Sequence, residues 1–368
     1  MYRTPTPLRL MSQISKKEFI SLLLFQKKER KLVNWSYNKK PFTLKLQPLN
    51  YYKEGIDQGN TIVLSQAITL IESSKTEHQS LGQQIINECL PKSGQSIRIG
   101  ITGVPGVGKS TFIETFGTFL TSLGKKVAVL AIDPTSQQSR GSILGDKTRM
   151  AKLAVNNQAY IRPSASGKTL GGVGQKTQET IILCEAAGFD IILVETVGVG
   201  QSETEVYSMT DFFLLLMIAG AGDELQGIKR GIMEMADAIL INKAEGDNLV
   251  KAKQAKREYA NALHLFPAKE SDWIPKVELC SALEETGIKE AWDIINSYVI
   301  KTKTTGYFDR NRKRQTKDWF YKFLHHQILT SFYQGKETSN KLKELEELVL
   351  NGEISPFEAS RIMLTQTS

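Results

Sequence analysis

The chain has 368 residues, 40% of them hydrophobic, with 47 Lys/Arg, 39 Asp/Glu and three cysteines. That apolar content can bury a sizeable core and excludes a wholly disordered chain. The scattered Cys89, Cys184 and Cys280 exclude a disulfide framework and a Cys-cluster metal site, and they suit a reducing compartment. The net charge of +8 sits in one segment: residues 1–41 carry ten Lys/Arg against two Glu, so the rest is neutral and has no basic bias toward nucleic acid.

The basic segment, residues 1–54 in all, reads as a tail. It contains an apolar stretch at 20–25 but no small-residue cleavage site of a secretory signal. As a mitochondrial transit peptide it fits only in part, because Glu18 and Glu29 interrupt it, and Met11 is an alternative start. Residues 55–94 read as a helical extension, with apolar residues at helical spacing over 62–73 and 81–90. From 95 to 298 the texture changes. Short apolar runs at 97–102, 127–132, 190–195, 212–219, 238–242 and 277–280 alternate with helical stretches, which predicts a mostly parallel sheet buried on both faces. The longest of these runs, 212–219, is too short to span a bilayer. Residues 301–314 are polar and basic and read as a connector. Beyond them, helical patterns are predicted over 319–333, 341–349 and 357–364, within a C-terminal region of residues 299–368.

The segment Gly103-Val104-Pro105-Gly106-Val107-Gly108-Lys109-Ser110 matches the phosphate-loop pattern G-x-x-x-x-G-K-[ST] at every fixed position. It follows a predicted strand and leads through Thr111 into a predicted helix, the context the pattern needs. Glycines let backbone N–H groups converge on phosphates, and the helix N-terminus favours an anion. Lys109 would reach the β- and γ-phosphates and the Ser110 hydroxyl would ligate Mg²⁺. The expected fold class is therefore α/β: a P-loop NTPase core with a mostly parallel sheet, flanked by N-terminal and C-terminal helical extensions.

A magnesium nucleotide needs carboxylates beyond the loop. Glu195 ends the strand at 190–195, Asp133 ends the strand at 127–132, and Asp146 lies in the loop at 141–149; all three are candidates for Mg²⁺ and the attacking water. The two glycines in Thr196-Val197-Gly198-Val199-Gly200-Gln201 suggest a segment that senses the γ-phosphate, with Gln201 a candidate for orienting water. Asn242-Lys243-Ala244-Glu245, at the end of the strand at 238–242, is similar to the N-K-x-D signature whose carboxylate accepts two hydrogen bonds from guanine. Glu245 stands where Asp is expected, which adds one methylene to that contact. Ser281-Ala282-Leu283 fits the second base loop, whose backbone N–H groups face the guanine carbonyl. His78, His264, His325 and His326 form no metal-ligand pattern; the last two are adjacent and face different sides of a helix.

Longer motifs in order resemble the MeaB/ArgK family of methylmalonyl-CoA mutase-associated GTPases. Residues 128–136 with 141–150 are similar to its first switch, 195–203 to its second, and Gly220-Ala221-Gly222-Asp223-Glu224-Leu225-Gln226-Gly227-Ile228-Lys229 to a third. The similarity covers about residues 55–365 and departs at Glu245 and at Gln137-Gln138-Ser139-Arg140, where a proline and small residues are expected. The resemblance implies a homodimeric GTPase chaperone that uses GTP and Mg²⁺. It would bind an adenosylcobalamin-dependent methylmalonyl-CoA mutase, gate its cofactor loading and protect it; a cobalamin adenosyltransferase is a further candidate partner. It also implies that Asp223, Gln226 and Lys229 couple the partner to hydrolysis, with Lys229 a candidate cation for the transition state. The expected location is cytoplasmic, or the mitochondrial matrix if residues 1–41 are a transit peptide. The alternative is an ATP-dependent kinase acting on a transport-system binding protein. A nickel-insertion GTPase would want His/Cys ligands near the phosphate loop, and a non-enzymatic scaffold would not need Lys109, Ser110 and Glu195 intact. Trp319, Phe320, Tyr321, Phe323, Phe332 and Tyr333 at helical spacing ordinarily mean core, whereas the resemblance points to a dimer surface.

Overall fold

A computed structural model of the protein describes residues 45–132, 150–163, 170–196, 201–220, 230–334 and 336–365. Residues Pro48–Ser368 make up one unit; of the unit before it, Met1–Gln47, only residues 45–47 are described, and they lie outside helix and strand.

Seven parallel strands are described: β1 Ile97–Gly103, β2 Val127–Ile132, β3 Ala159–Arg162, β4 Ile191–Thr196, β5 Phe212–Ile218, β6 Ala238–Asn242 and β7 Lys276–Leu279. They lie in the order β3-β2-β4-β1-β5-β6-β7, every pair parallel. Continuous apolar runs such as Phe212–Ile218 form the central strands because both faces are covered, and a side chain on either face leaves water. The chain leaves β1, skips one position to β2, and later returns β4 into the gap. The carboxyl ends of β1, β4 and β5 therefore share one crevice, the place where open parallel sheets hold ligands.

The N-terminal extension consists of α1 Leu49–Asp57, α2 Thr61–Glu72 and α3 Thr76–Cys89. The first begins ahead of the expected boundary at residue 55. Asn60 caps α2, its side-chain oxygen accepting from the N–H groups of Ile62 and Val63 at 3.0 and 3.2 Å. This extension covers the outer strand. The Tyr160 hydroxyl of β3 meets Ser65 of α2 at 3.0 Å, and Arg162 pairs with Glu72. An edge strand so covered presents less open backbone to a foreign chain. β3 itself is four residues long, with no apolar run to announce it.

The core helices are α4 Lys109–Ser122, α5 Ala151–Ala154, α6 Leu170–Ala186, α7 Gln201–Tyr207, α8 Arg230–Met235 and α9 Leu249–Leu263; the C-terminal set is α10 Ile288–Thr304, α11 Tyr307–Gln334, α12 Lys336–Leu350 and α13 Pro356–Thr365. The expected connector at 301–314 is instead the end of α10 and the opening of α11, and α10 runs across the expected boundary at 298. The charges that made this segment look like a linker are consumed in the fold. Asp211, just before β5, accepts from Arg98 of β1 at 2.7 Å and from Arg312 of α11 at 2.6 Å. Gln315 adds an amide donated to the Thr210 carbonyl at 2.8 Å. One and two turns on, Trp319 donates to the Ser208 carbonyl at 3.4 Å and Lys322 pairs with Glu205 of α7. On the far side of α11, Phe320, Tyr321, Leu324, Ile328, Leu329 and Tyr333 are exposed, while Trp319, Phe323 and Phe332 are half-buried. In the single chain Phe320, Tyr321 and Tyr333 are not core, whereas Phe332 packs against the cluster of Leu345, Ala359 and Met363. Among the described residues no helix is long and apolar enough to cross a membrane, and no group of three or more His, Cys, Asp or Glu is placed to hold a metal ion.

Burial alone would raise the pKa of Asp211, but the flanking guanidiniums of Arg98 and Arg312 outweigh it and hold the carboxyl down to about 2. A depressed carboxyl stabilises the fold above its unfolded pKa of about 4, and that contribution fades as pH falls toward 2. Asp211→Asn removes the charge that faces the buried Arg98 and the half-buried Arg312 and should cost about 3 kcal/mol at neutral pH. Urea unfolding checks both statements: the midpoint drops in the variant, and the gap to wild type narrows on acidification below about pH 4.

Candidate functional site

β1 ends at Gly103, and the phosphate loop runs from Val104 to Gly108, where α4 begins at Lys109. A Cβ on Gly103 would lie 2.5 Å from the Leu216 carbonyl oxygen of β5, so only glycine lets the loop leave the sheet here. Gly108 caps α4 at φ +93°, a left-handed conformation that side chains resist, and a Cβ there would sit 3.0 Å from the Asn242 amide. Val107 is fully buried in the core and anchors the loop from beneath. Ser110 and Thr111 lie in the first turn of α4, where the backbone N–H groups of a helix have no partner within it and favour an anion.

Lys109 donates to the carbonyls of Gly103 and Val104 at 2.8 and 3.4 Å, closing the loop on itself. Burial pulls its pKa down, and the carboxylates of Glu195 and Glu203 work against that pull. The Ser110 hydroxyl points at Glu195, 3.5 Å from its carboxylate, and Glu195 is the penultimate residue of β4. Thr196 donates to the Thr102 hydroxyl at 2.8 Å and so fixes the ends of β4 and β1 together. Ser110 and Glu195, read from the sequence as metal candidates, are thus brought together. Gln201 opens α7, and its side chain lies outside the described residues, as do Asp133, Asp146, Asp223, Gln226 and Lys229.

The second half of the site is built on β6 and β7. Asn242, 2% exposed, ends β6. Its amide donates to the Val107 carbonyl at 2.8 Å, and its oxygen accepts from the Ala282 N–H at 3.1 Å and from the Cys280 thiol at 3.5 Å. Burial, with the charge of Glu245, pushes the Cys280 thiol up to about 12, which keeps its proton available to donate. Lys243 takes φ +58° and turns the chain so that Ala244 donates to the Cys280 carbonyl at 3.0 Å. Ser281 pairs with Thr286 to close the neighbouring loop, and Thr115 of α4 donates to the Ala282 carbonyl at 2.9 Å. Ser281 and Ala282 are buried, and the Leu283 side chain stands in solvent. Glu245 holds one carboxylate oxygen, Oε2, out of water with no hydrogen-bond partner among the described residues. A buried oxygen left unpaired costs about 1–3 kcal/mol, so this loop is shaped for a donor.

Sequence reasoning missed three contributors. Cys280 and Thr115 hold the base loop, and Glu203, 2% exposed, adds a buried negative charge near Lys109. Thr115 stands beside the buried apolar positions Phe112, Ile113 and Phe116 of α4, and a polar residue among them was the available signal.

Asn242→Ala leaves the Val107 carbonyl and the Ala282 N–H unpaired, about 1–3 kcal/mol each. Nucleotide affinity should fall by about tenfold or more. Gly103→Ala should do the same by displacing the loop. Titration with a fluorescent guanine nucleotide measures both, and unchanged affinity would separate Asn242 from the site.

The model of the family described as "Methylmalonyl Co-A mutase-associated GTPase MeaB" matches residues 64–337. The chain is 46% identical over 299 residues to the GTPase ArgK of Escherichia coli, covering 81% of this chain and 90% of that one. It is 42% identical over 320 residues to the mouse (Mus musculus) methylmalonic aciduria type A homolog, mitochondrial, covering 84% and 77%. The crystal structure of a LAO/AO transport system kinase superposes with a TM-score of 0.70 at 37% identity, covering 88% of this chain and 99% of that one. With the phosphate loop, the Ser110–Glu195 pair and the Asn242 bridge in place on a seven-stranded parallel sheet, the chain belongs to the MeaB family of methylmalonyl Co-A mutase-associated GTPases and is a P-loop GTPase.

Proposed function

We propose that the protein binds GTP with Mg²⁺ and hydrolyses it to GDP and phosphate as a homodimeric chaperone. In this reading the client is an adenosylcobalamin-dependent methylmalonyl-CoA mutase, whose cofactor loading it gates and whose activity it protects. The unpaired Glu245 oxygen carries the choice of nucleotide. Guanine offers a ring N–H and an exocyclic NH₂ on one edge, and adenine offers no such pair, so guanine can give two hydrogen bonds to the carboxylate where adenine gives at most one. The buried Ser281-Ala282 loop would present backbone to the guanine carbonyl. The family membership supports the mutase as client, and the name of the mouse relative points to methylmalonate metabolism.

At the phosphate end, Lys109 exchanges the carbonyls of Gly103 and Val104 for the β- and γ-phosphates, where its charge meets charge. Ser110 and Glu195 form an all-oxygen donor pair that suits Mg²⁺, and Asp133 and Asp146 would complete the shell. When bound, the ion neutralises charge on the β- and γ-oxygens. Glu195 orients the water that attacks the γ-phosphorus, with Gln201 as a second group, and Lys229 supplies a cation to the oxygens of the transition state. The exposed apolar face of α11, with Phe320, Leu324 and Ile328 at successive turns, is the proposed dimer surface.

Two measurements test this reading. In competition for the bound fluorescent nucleotide, GTP should outcompete ATP by at least about tenfold, and Glu245→Ala should erase that preference while Glu245→Asp keeps it. Equal competition by ATP in the wild type rejects guanine selection and favours the kinase reading. By light scattering after gel filtration, Phe320→Asp with Ile328→Asp should convert a dimer to a monomer; a variant that stays dimeric places the interface elsewhere.

A further inference from the structure

A cavity of about 600 Å³ opens at the other edge of the sheet, where Asp211 and Asp237 immediately precede β5 and β6, away from the phosphate loop at the strand carboxyl ends. Its walls are the end of α7 and the length of α8, the loop around Lys269 and the helices α10 and α11. That volume lies within the range of small-molecule sites. Its lining mixes tyrosine rings with charged groups.

The charges can be paired off. Asp211 and Glu185 together balance Arg98 and Arg312, Arg312 lying 4.0 Å from Glu185; Asp237 is held by Lys269 at 2.7 Å, and Glu270 by Arg314 at 2.6 Å. Glu234 of α8 and Asp318 of α11 have no ion-pair partner among the described residues, so the cavity carries about two uncompensated negative charges. A second observation is independent of charge. Tyr298 is 3% exposed, with its ring packed edge-on against Phe212 and Trp273 at 5.1 and 5.4 Å. Its hydroxyl has no hydrogen-bond partner among the described residues, although it lines the cavity. Burial raises its pKa, so the hydroxyl keeps its proton at neutral pH.

An anion is repelled from such a place, and an apolar molecule would strip water from two carboxylates and a hydroxyl without replacing it. An ammonium group offers three donors, which carboxylates and tyrosine oxygens accept, and tyrosine faces attract it further. We propose that this cavity is a second ligand site, separate from the nucleotide, for a small organic cation bearing primary amines. The walls shared by α7, α8 and α11 place the bound amine between the core and the C-terminal helices.

Putrescine and spermidine are the probes, titrated calorimetrically into the full chain saturated with GDP, so that the nucleotide site is filled. 1,4-Butanediol, of the same length as putrescine but uncharged, is the control. The expected result is saturable binding of at least one amine and none of the diol. Tyr298→Phe should weaken it about tenfold, and the exposed double change Glu234→Gln with Asp318→Asn should abolish it while GDP affinity holds. Absence of binding by both amines overturns the proposal. So does binding that the double variant retains, or a diol that binds as well as the diamine.

Discussion

A single buried carboxamide holds the nucleotide site together. Asn242 touches the phosphate loop through the Val107 carbonyl and the opposite loop through the Ala282 N–H, with the Cys280 thiol on the same oxygen. Its position follows from sheet register, since Asn242 lies beside Ile218 where β5 and β6 end together. The close approach of the loop depends on Gly108, whose missing Cβ leaves room for the amide. Two stretches of chain some 135 residues apart are thereby made one geometric object. A shift in either is felt by the other, because a buried amide has no water to fall back on.

The two ends of that object do different work. The phosphate end supplies affinity that any nucleoside triphosphate could use: converging N–H groups, a helix terminus and an ammonium group. That ammonium donates to the loop's own carbonyls, and under the proposed function binding would exchange these neutral acceptors for charged ones. In the proposed reading the base end would supply discrimination, because the buried Glu245 oxygen has no partner of its own among the described residues. Affinity and choice are divided between β1 and β6, and the bridging amide joins them.

Much of this was legible in the sequence because the chemistry is local. The phosphate loop needs glycines at fixed spacing beside a strand and a helix, and Gly103 to Ser110 show all of it. The six apolar runs became strands because burial on both faces leaves a continuous signature. β3 was invisible for the opposite reason: it is short, at the edge, and capped by α2 rather than by its own hydrophobicity. Residues 301–314 misled because periodicity is blurred when the inward-facing residues are arginine and glutamine. Only the fold shows that Arg312 and Gln315 face Asp211 and Thr210 across more than a hundred residues of chain. The aromatics of α11 misled in the same way, since helical spacing predicts a covered face but cannot name what covers it. The carboxamide bridge itself lay beyond reach, because Cys280, Ala282 and Val107 meet only once the strands are ordered.

The grip of α11 on α7 has its own consequence. Gln315, Trp319 and Lys322 clasp residues 205–210, the end of α7 and the turn after it, on three successive turns of one rod. The opposite side of that rod is its bare apolar flank. A displacement of that flank is therefore passed, turn by turn, to residues 205–210, where three contacts of one rod would have to shift together.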